Sequence, residues 1–273
     1  MSLLEVEHLR IWEGRTGDVL VPDSSFRLSK GQCLAIVGES GSGKSLTCKA
    51  LMRLNRPFIR QSGRVALYGI DLATLSAKEM RPYRGKRMCM IMQNGMRAFD
   101  PSRPVGAYLL EVLSLHYDWS RSEMIASLST AMISVGLQEP SAVMGRYPHE
   151  LSGGMLQRVM IALAIVLEPD VIIADEPTTA LDAVTQYEVV ERFVQLRGRI
   201  GSAILFVSHD LGVVRRIADD MLVMKNGVIV ERGKTSDILA DASHPYSRYL
   251  VSSKDALRNH YLQLMGGTDV AEG

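Results

Sequence analysis

The residues Gly38, Glu39, Ser40, Gly41, Ser42, Gly43, Lys44 and Ser45 carry the spacing G-x-x-x-x-G-K-[ST]. The apolar run 33–37 precedes them, and residues 46–54, beginning at Leu46, read as a helix. In this strand–loop–helix setting, glycines let successive backbone N–H groups turn inward on phosphate oxygens, and the helix N-terminus adds positive potential. Lys44 is then placed to reach the β- and γ-phosphates of a nucleotide, and the Ser45 hydroxyl to ligate Mg²⁺. A Gly/Ser-rich turn with a stray lysine is the plainer alternative, and it gives no reason for the flanking strand and helix.

A second cluster lies at residues 171–176, an apolar strand that ends in Asp175 and Glu176. Asp175, at the carboxyl end of the strand, is placed to hold Mg²⁺ directly or through water. Glu176 points elsewhere and can take a proton from an attacking water. Without the phosphate loop upstream, the pair would read as solvated turn carboxylates.

The third stretch is Leu151-Ser152-Gly153-Gly154-Met155-Leu156-Gln157-Arg158. Two glycines and a serine opening a helix make another anion-receptive end. As an N-cap alone this is ordinary. One nucleotide does not require two such ends in one chain; two chains facing each other do, each closing over the other's nucleotide.

These residues need scaffolding, and the pattern supplies it. Residues 3–12 and 19–28 read as paired strands, with Pro22 marking an edge or irregular start. Residues 63–68 form a short strand, 76–83 a short helix with a Ser76/Glu79 capping box, and 88–92 a compact strand. From Pro104 the pattern turns helical, at 105–116 and 120–135, with 140–149 as connector and 155–167 as a long apolar-striped helix. Strands at 171–174 and 203–207 then alternate with helices at 183–197 and 211–218. Residues 221–231 form a hairpin about Asn226-Gly227, the pair favoured by a type I′ turn. Helix candidates at 236–240 and 245–251 follow, and the small polar residues 266–273 read as frayed. Short apolar strands separated by helices predict a parallel or mixed sheet with helices on its faces.

Composition sets outer bounds. The 273 residues are 47% hydrophobic and 22% charged, with a net charge of +1. That allows one large domain or two small ones and gives no electrostatic pointer to nucleic acid or an anionic membrane. Residues 1–10 lack the basic-then-apolar order of a signal peptide, and the run 159–167 is too short for a span, so a soluble cytosolic chain is expected. Cys33, Cys48 and Cys89 are scattered and read as small buried apolar residues in a reducing compartment.

With the phosphate loop, Gln93 after a strand, the 151–158 stretch, the Asp175/Glu176 pair, Ala180-Leu181-Asp182 and His209 after a strand all in place, the chain resembles the ATP-binding subunit of an ABC transporter. The likeness covers nearly the whole sequence. It implies an α/β fold, a P-loop NTPase cassette with a RecA-like mixed-sheet core, an antiparallel β portion and an α-helical subdomain inserted at about residues 95–155. Residues 1–232 would be the nucleotide-binding domain and 233–273 a short C-terminal extension.

The same resemblance implies ATP and Mg²⁺, and roles for the matching positions. Glu176, His209 and Gln93 would be catalytic, with Gln93 sensing Mg²⁺ and the γ-phosphate and His209 contacting the γ-phosphate. Residues 38–46 would cradle ATP, while Ser152, Gly153, Gly154 and Gln157 complete the site and Asp182 signals across the dimer. Ser45, Gln93 and Asp175 would hold Mg²⁺. Expected partners are a second homologous ATPase subunit (a heterodimer, with a homodimer left open), two transmembrane permease subunits and, through them, an extracytoplasmic substrate-binding protein. Nucleic acid is not among them. The expected location is the cytoplasmic face of the bacterial inner membrane. A soluble ABC ATPase acting on DNA or ribosomes is the alternative from another class, but coiled-coil insertions, a second cassette and a basic surface are not evident. A regulatory module without turnover is set against intact Lys44, Glu176 and His209.

One departure concerns adenine. Such subunits stack an aromatic residue on the base from the first strand, and Trp12 is the candidate, yet Glu13 occupies the aligned position. A one-residue offset would turn Trp12 to the other face, so a core or edge role stands beside the stacking one.

The finer resemblance is to the peptide/nickel branch of binding-protein-dependent importers. It rests on residues 42–48, Ile91-Met92-Gln93-Asn94, Ala98-Phe99-Asp100-Pro101, residues 147–158 and His244-Pro245-Tyr246-Ser247-Arg248. Peptide-importing members commonly add a cysteine-rich iron–sulfur extension, and no cysteine follows Cys89. Nickel or metal-chelate import is therefore preferred to peptide import. Met88, Met90 and Met92 alternate along a strand, which predicts core packing rather than a soft-metal site.

Overall fold

Unbroken apolar runs and alternating runs sort the strands into two sheets. The computed structural model describes residues 2–253 apart from Asn94 and Ala180, so the expectations for those two residues and for 266–273 lie outside the described residues. In chain order the elements are β1 (Ser2–Glu13), β2 (Val19–Ser29), β3 (Cys33–Val37), α1 (Lys44–Leu51), β4 (Ile59–Leu67), β5 (Ile70–Asp71), α2 (Ala77–Met80), β6 (Met88–Ile91), α3 (Val105–Ser114), α4 (Arg121–Ser134) and α5 (Pro140–Gly145). There follow α6 (Gly153–Leu167), β7 (Val171–Asp175), α7 (Ala183–Ile200), β8 (Ala203–Val207), α8 (Leu211–Ile217), β9 (Asp220–Lys225), β10 (Val228–Lys234) and α9 (Thr235–Ala240).

Strands β3, β7 and β8 are buried at every residue. That is the signature of strands covered on both faces. They form the middle of a six-stranded sheet in the order β10-β9-β3-β8-β7-β6, parallel except for the β9–β10 hairpin. Asn226 and Gly227 both have positive φ, as the type I′ turn requires. The carboxyl ends of β3 and β7 deliver the phosphate loop and the Asp175/Glu176 pair, the edge where open α/β sheets bind ligands.

The half-buried strands form a four-stranded antiparallel sheet, β2-β1-β4-β5, with Pro22 on its edge strand. Strand β4 begins at Ile59, earlier than the pattern predicts, because a bulge carries it past Gly63. There a Cβ would lie 2.3 Å from the His8 carbonyl oxygen, so only glycine passes. On β1, Ile11 is fully buried, and half-buried Trp12 lies on the opposite face beside exposed Arg10.

Between β6 and β7 the chain is helical. Leu109, Leu128, Met132, Leu156 and Val159 share one core with the inner face of the six-stranded sheet. The expected connector after Pro140 is instead the helix α5, because proline presets the first turn and Val143 plugs into the core. Ser76 and Ser120 each form the reciprocal capping box with a glutamate three residues on. On β6, Met88 and Met90 pack into one core while Cys89 and Ile91 face the other. Strand β10 runs on to Lys234, and Ile238, Leu239 and Tyr246 pack against β3 and β9, so residues beyond 232 continue the sheet's own core. The three cysteines are free, and burial pushes each thiol pKa up. No helix among the described residues is long and apolar enough to cross a membrane.

Candidate active site

The loop 38–45 is closed on its own lysine. Lys44 Nζ donates to the Gly38 carbonyl at 2.8 Å, the Glu39 carbonyl at 2.7 Å and Ser42 Oγ at 3.2 Å. Lys44 is 5% exposed, and burial lowers its pKa, against the pull of the Glu176 and Asp175 carboxylates. Gly43 takes φ +101°, where a side chain would be strained, and opens α1 without a side-chain cap. The first-turn N–H groups are thus left for an anion. Leu46 turns its side chain to the core, which leaves its backbone as the group available to a phosphate.

Behind the loop, Ser45 Oγ donates to Asp175 Oδ1 at 2.8 Å. Asp175 is 2% exposed, and burial raises its pKa while the Ser45 hydrogen bond lowers it. Two hard oxygen donors converging at a buried carboxylate fit Mg²⁺, which takes few protein ligands and completes its shell with phosphate and water. Groups of three or more His, Cys, Asp or Glu able to cage a metal are absent among the described residues.

Glu176 stands one residue past the strand with φ +48°, a left-handed conformation costly for a non-glycine residue. Its N–H donates to the Val207 carbonyl at 3.0 Å, which fixes the turn against β8. Its Oε2 accepts from Gln93 Nε2 at 2.8 Å and from Thr179 Oγ1 at 3.1 Å, and lies 3.4 Å from His209 Nδ1. Three residues, Gln93, Thr179 and His209, thereby converge on one carboxylate oxygen. Thr179 is absent from the sequence-based site, although a hydroxyl three residues beyond Glu176 in a turn is a readable signal.

Two expected site residues have other work. Gln157 is fully buried, and its Nε2 donates to the Glu176 carbonyl of the same chain at 3.2 Å. From the core side of α6 it braces the Glu176 backbone. Asp182 N-caps α7, accepting from Val184 N–H, Thr185 N–H and Thr185 Oγ1, bonds that hold its carboxyl below the usual range. Ser152 caps α6 through Met155 N–H, and the described hydrogen bonds of Ser152 and Gly154 stay within the first turns of that helix. A Cβ at Gly153 would meet open space. None of these described bonds reaches the phosphate loop. A cavity of about 910 Å³ lined by Lys86, Tyr117 and Trp119 lies elsewhere and holds none of these residues.

The chain is similar to known proteins. A family model described as ABC transporter matches residues 21–179. The metal-staphylopine import system ATP-binding protein of Staphylococcus aureus is 44% identical over 98% of this chain and 98% of its own. The oligopeptide transport ATP-binding protein of Bacillus subtilis is 42% identical over 94% of this chain and 73% of its own. A solved dimeric ATP-binding cassette in a post-hydrolysis state superposes with a TM-score of 0.76 at 24% identity, covering 85% of this chain and 99% of that one, which shows the same fold. With loop, carboxylate pair and helical insertion in place, the chain belongs to the ABC transporter family as an ATP-binding, ATP-hydrolysing subunit.

Proposed function

We propose that this chain powers the import of nickel or another metal as a chelate complex, as one of two ATPase subunits beneath a pair of membrane permeases. The observation that carries the hydrolytic part is the Glu176 carboxylate, held by Gln93 and Thr179 beside His209. The cargo rests on the likeness to the metal-staphylopine subunit along the whole of both chains. Oligopeptide import is the second reading, favoured by the oligopeptide relative.

On ATP binding, Lys44 leaves the Gly38 and Glu39 carbonyls for the β- and γ-phosphates, and the freed loop N–H groups turn on the phosphate oxygens. Ser45 and Asp175, with Gln93 nearby, would hold Mg²⁺, which neutralises phosphate charge when bound. Glu176 accepts the proton of the attacking water as the new O–P bond forms and the β–γ bridging bond breaks, giving ADP and phosphate. Ser152, Gly153 and Gly154 of one chain close over the nucleotide of the other, so ATP binds the closed pair more tightly than the open one. Only such a difference in affinity can drive a conformational cycle. In the cell, a permease pair places the chain at the cytoplasmic face of the inner membrane, with a substrate-binding protein delivering cargo from the other side.

The test is transport in reconstituted vesicles holding the full complex, with free nickel, chelated metal and peptides in competition. Chelated metal or nickel should stimulate ATP hydrolysis and accumulate inside. Stimulation by peptides alone would replace this cargo with the second reading.

A further inference from the structure

The phosphate loop is held from outside by the last part of the described chain. Tyr246 Oη accepts from the Glu39 N–H at 3.0 Å, across 207 residues. Tyr246 is 5% exposed and packs with Ala35, Val37, Val214 and Met221 under the sheet. Lys225 Nζ lies 4.7 Å from the Tyr246 ring centroid, and the Tyr246 N–H donates to His244 Nδ1 at 3.1 Å. The segment is tied in turn to β10, because Glu231 accepts from Ser243 N–H at 2.6 Å and His244 N–H at 3.1 Å.

The bond matters because of the peptide it holds. The Glu39 N–H and the Gly38 carbonyl belong to one planar unit, which turns as a single plate. Tyr246 holds the N–H edge and Lys44 Nζ the carbonyl edge. Gly38 is also wedged, since a Cβ there would lie 2.2 Å from the Met224 carbonyl. When Lys44 moves to a nucleotide, the carbonyl edge is released and the Tyr246 hydrogen bond still holds the N–H edge. The opposite side of the loop is pinned by Gly227 N–H, which donates to the Ser42 carbonyl at 2.9 Å.

We infer that Tyr246 is a positioning residue for ATP: its hydroxyl fixes the 38–39 peptide so that the loop keeps its phosphate-binding shape once Lys44 has left. The inference rests on the reading of 38–45 as the ATP loop. Tyr246→Phe keeps the ring, its packing and its contact with Lys225, and removes only the hydroxyl. In the full-length chain, calorimetric titration should show ATP and ADP binding roughly tenfold weaker, the scale of one lost hydrogen bond with its donor left unpaired. In the assembled transporter the change should fall on KM, with kcat at saturating ATP kept within about twofold. Hydrogen exchange at the Glu39 amide should quicken in the variant. Unchanged nucleotide affinity in Tyr246→Phe overturns the inference, and so does a lowered melting temperature with KM unmoved. Failure of the wild-type chain to bind ATP would instead overturn the ATP reading itself.

Discussion

Gln93 Nε2 donates to Glu176 Oε2 at 2.8 Å, joining the turn after β6 to the turn after β7. The bond aims the Glu176 carboxylate, and a proton acceptor has to be held within reach of the proton it takes. Glu176→Gln keeps the size and the turn but cannot accept the proton. Its ATP affinity should stay within about twofold of wild type, while turnover in the assembled transporter falls on the order of 100-fold or more. Phosphate release with radiolabelled ATP checks it, and near-normal turnover would remove Glu176 from that role.

Gly227 is the tightest of the turn positions behind the loop. It takes φ +80°, and a Cβ there would lie 2.2 Å from the Leu20 carbonyl. Gly227→Ala must strain or shift β2, the β9–β10 turn, or both. The cost should be about 1–3 kcal/mol, read as a fall in melting temperature of roughly 2–4 °C per kcal/mol. ATP affinity should weaken with it, because the same N–H holds the Ser42 carbonyl.

What was legible in the sequence was whatever a short window or a fixed spacing encodes. Apolar runs placed β3, β7 and β8, and the capping box at Ser76 formed as the sequence predicts. Gln157 shows the limit. Its position in the 151–158 stretch suggests a nucleotide contact, but which face of α6 it occupies is decided by packing in the core that α6 shares with the sheet, and there it braces Glu176. The Tyr246–Glu39 contact was not legible, since no local pattern reports a hydrogen bond between residues 207 positions apart. Helix α5 was hidden because six residues are too few for a periodicity.

Glu123 offers a pH test away from the site. The Ser120 hydroxyl, and then the Ser120 N–H, hold its carboxyl below the usual carboxylate range. For an acid whose folded pKa is depressed, the added stability is full above the unfolded value and is lost as pH falls through the folded one. Glu123→Gln keeps an acceptor and loses the charge. Wild type should therefore melt higher than the variant at neutral pH, and the gap should close as pH drops below roughly 4. A gap that persists at acid pH would assign the difference to packing.

The proposed two-chain closure makes a demand that one chain cannot satisfy, and Gly153 is where to test it. A side chain at that position enters open space, and Ser152 still caps α6 through Met155 N–H. Gly153→Asp should therefore fold, melt within a few degrees of wild type and bind ATP as a single chain with unchanged affinity. In the assembled pair the new carboxylate would face the γ-phosphate across the interface, where like charges in a water-poor site repel strongly. Turnover should fall on the order of 100-fold, comparable to the loss of a transition-state contact. Gly153→Ala, adding volume without charge, should lose far less. If the aspartate variant instead hydrolysed ATP normally in the complex, the helix end would not be closing over the partner's nucleotide, and the pair would have to be driven by some other contact.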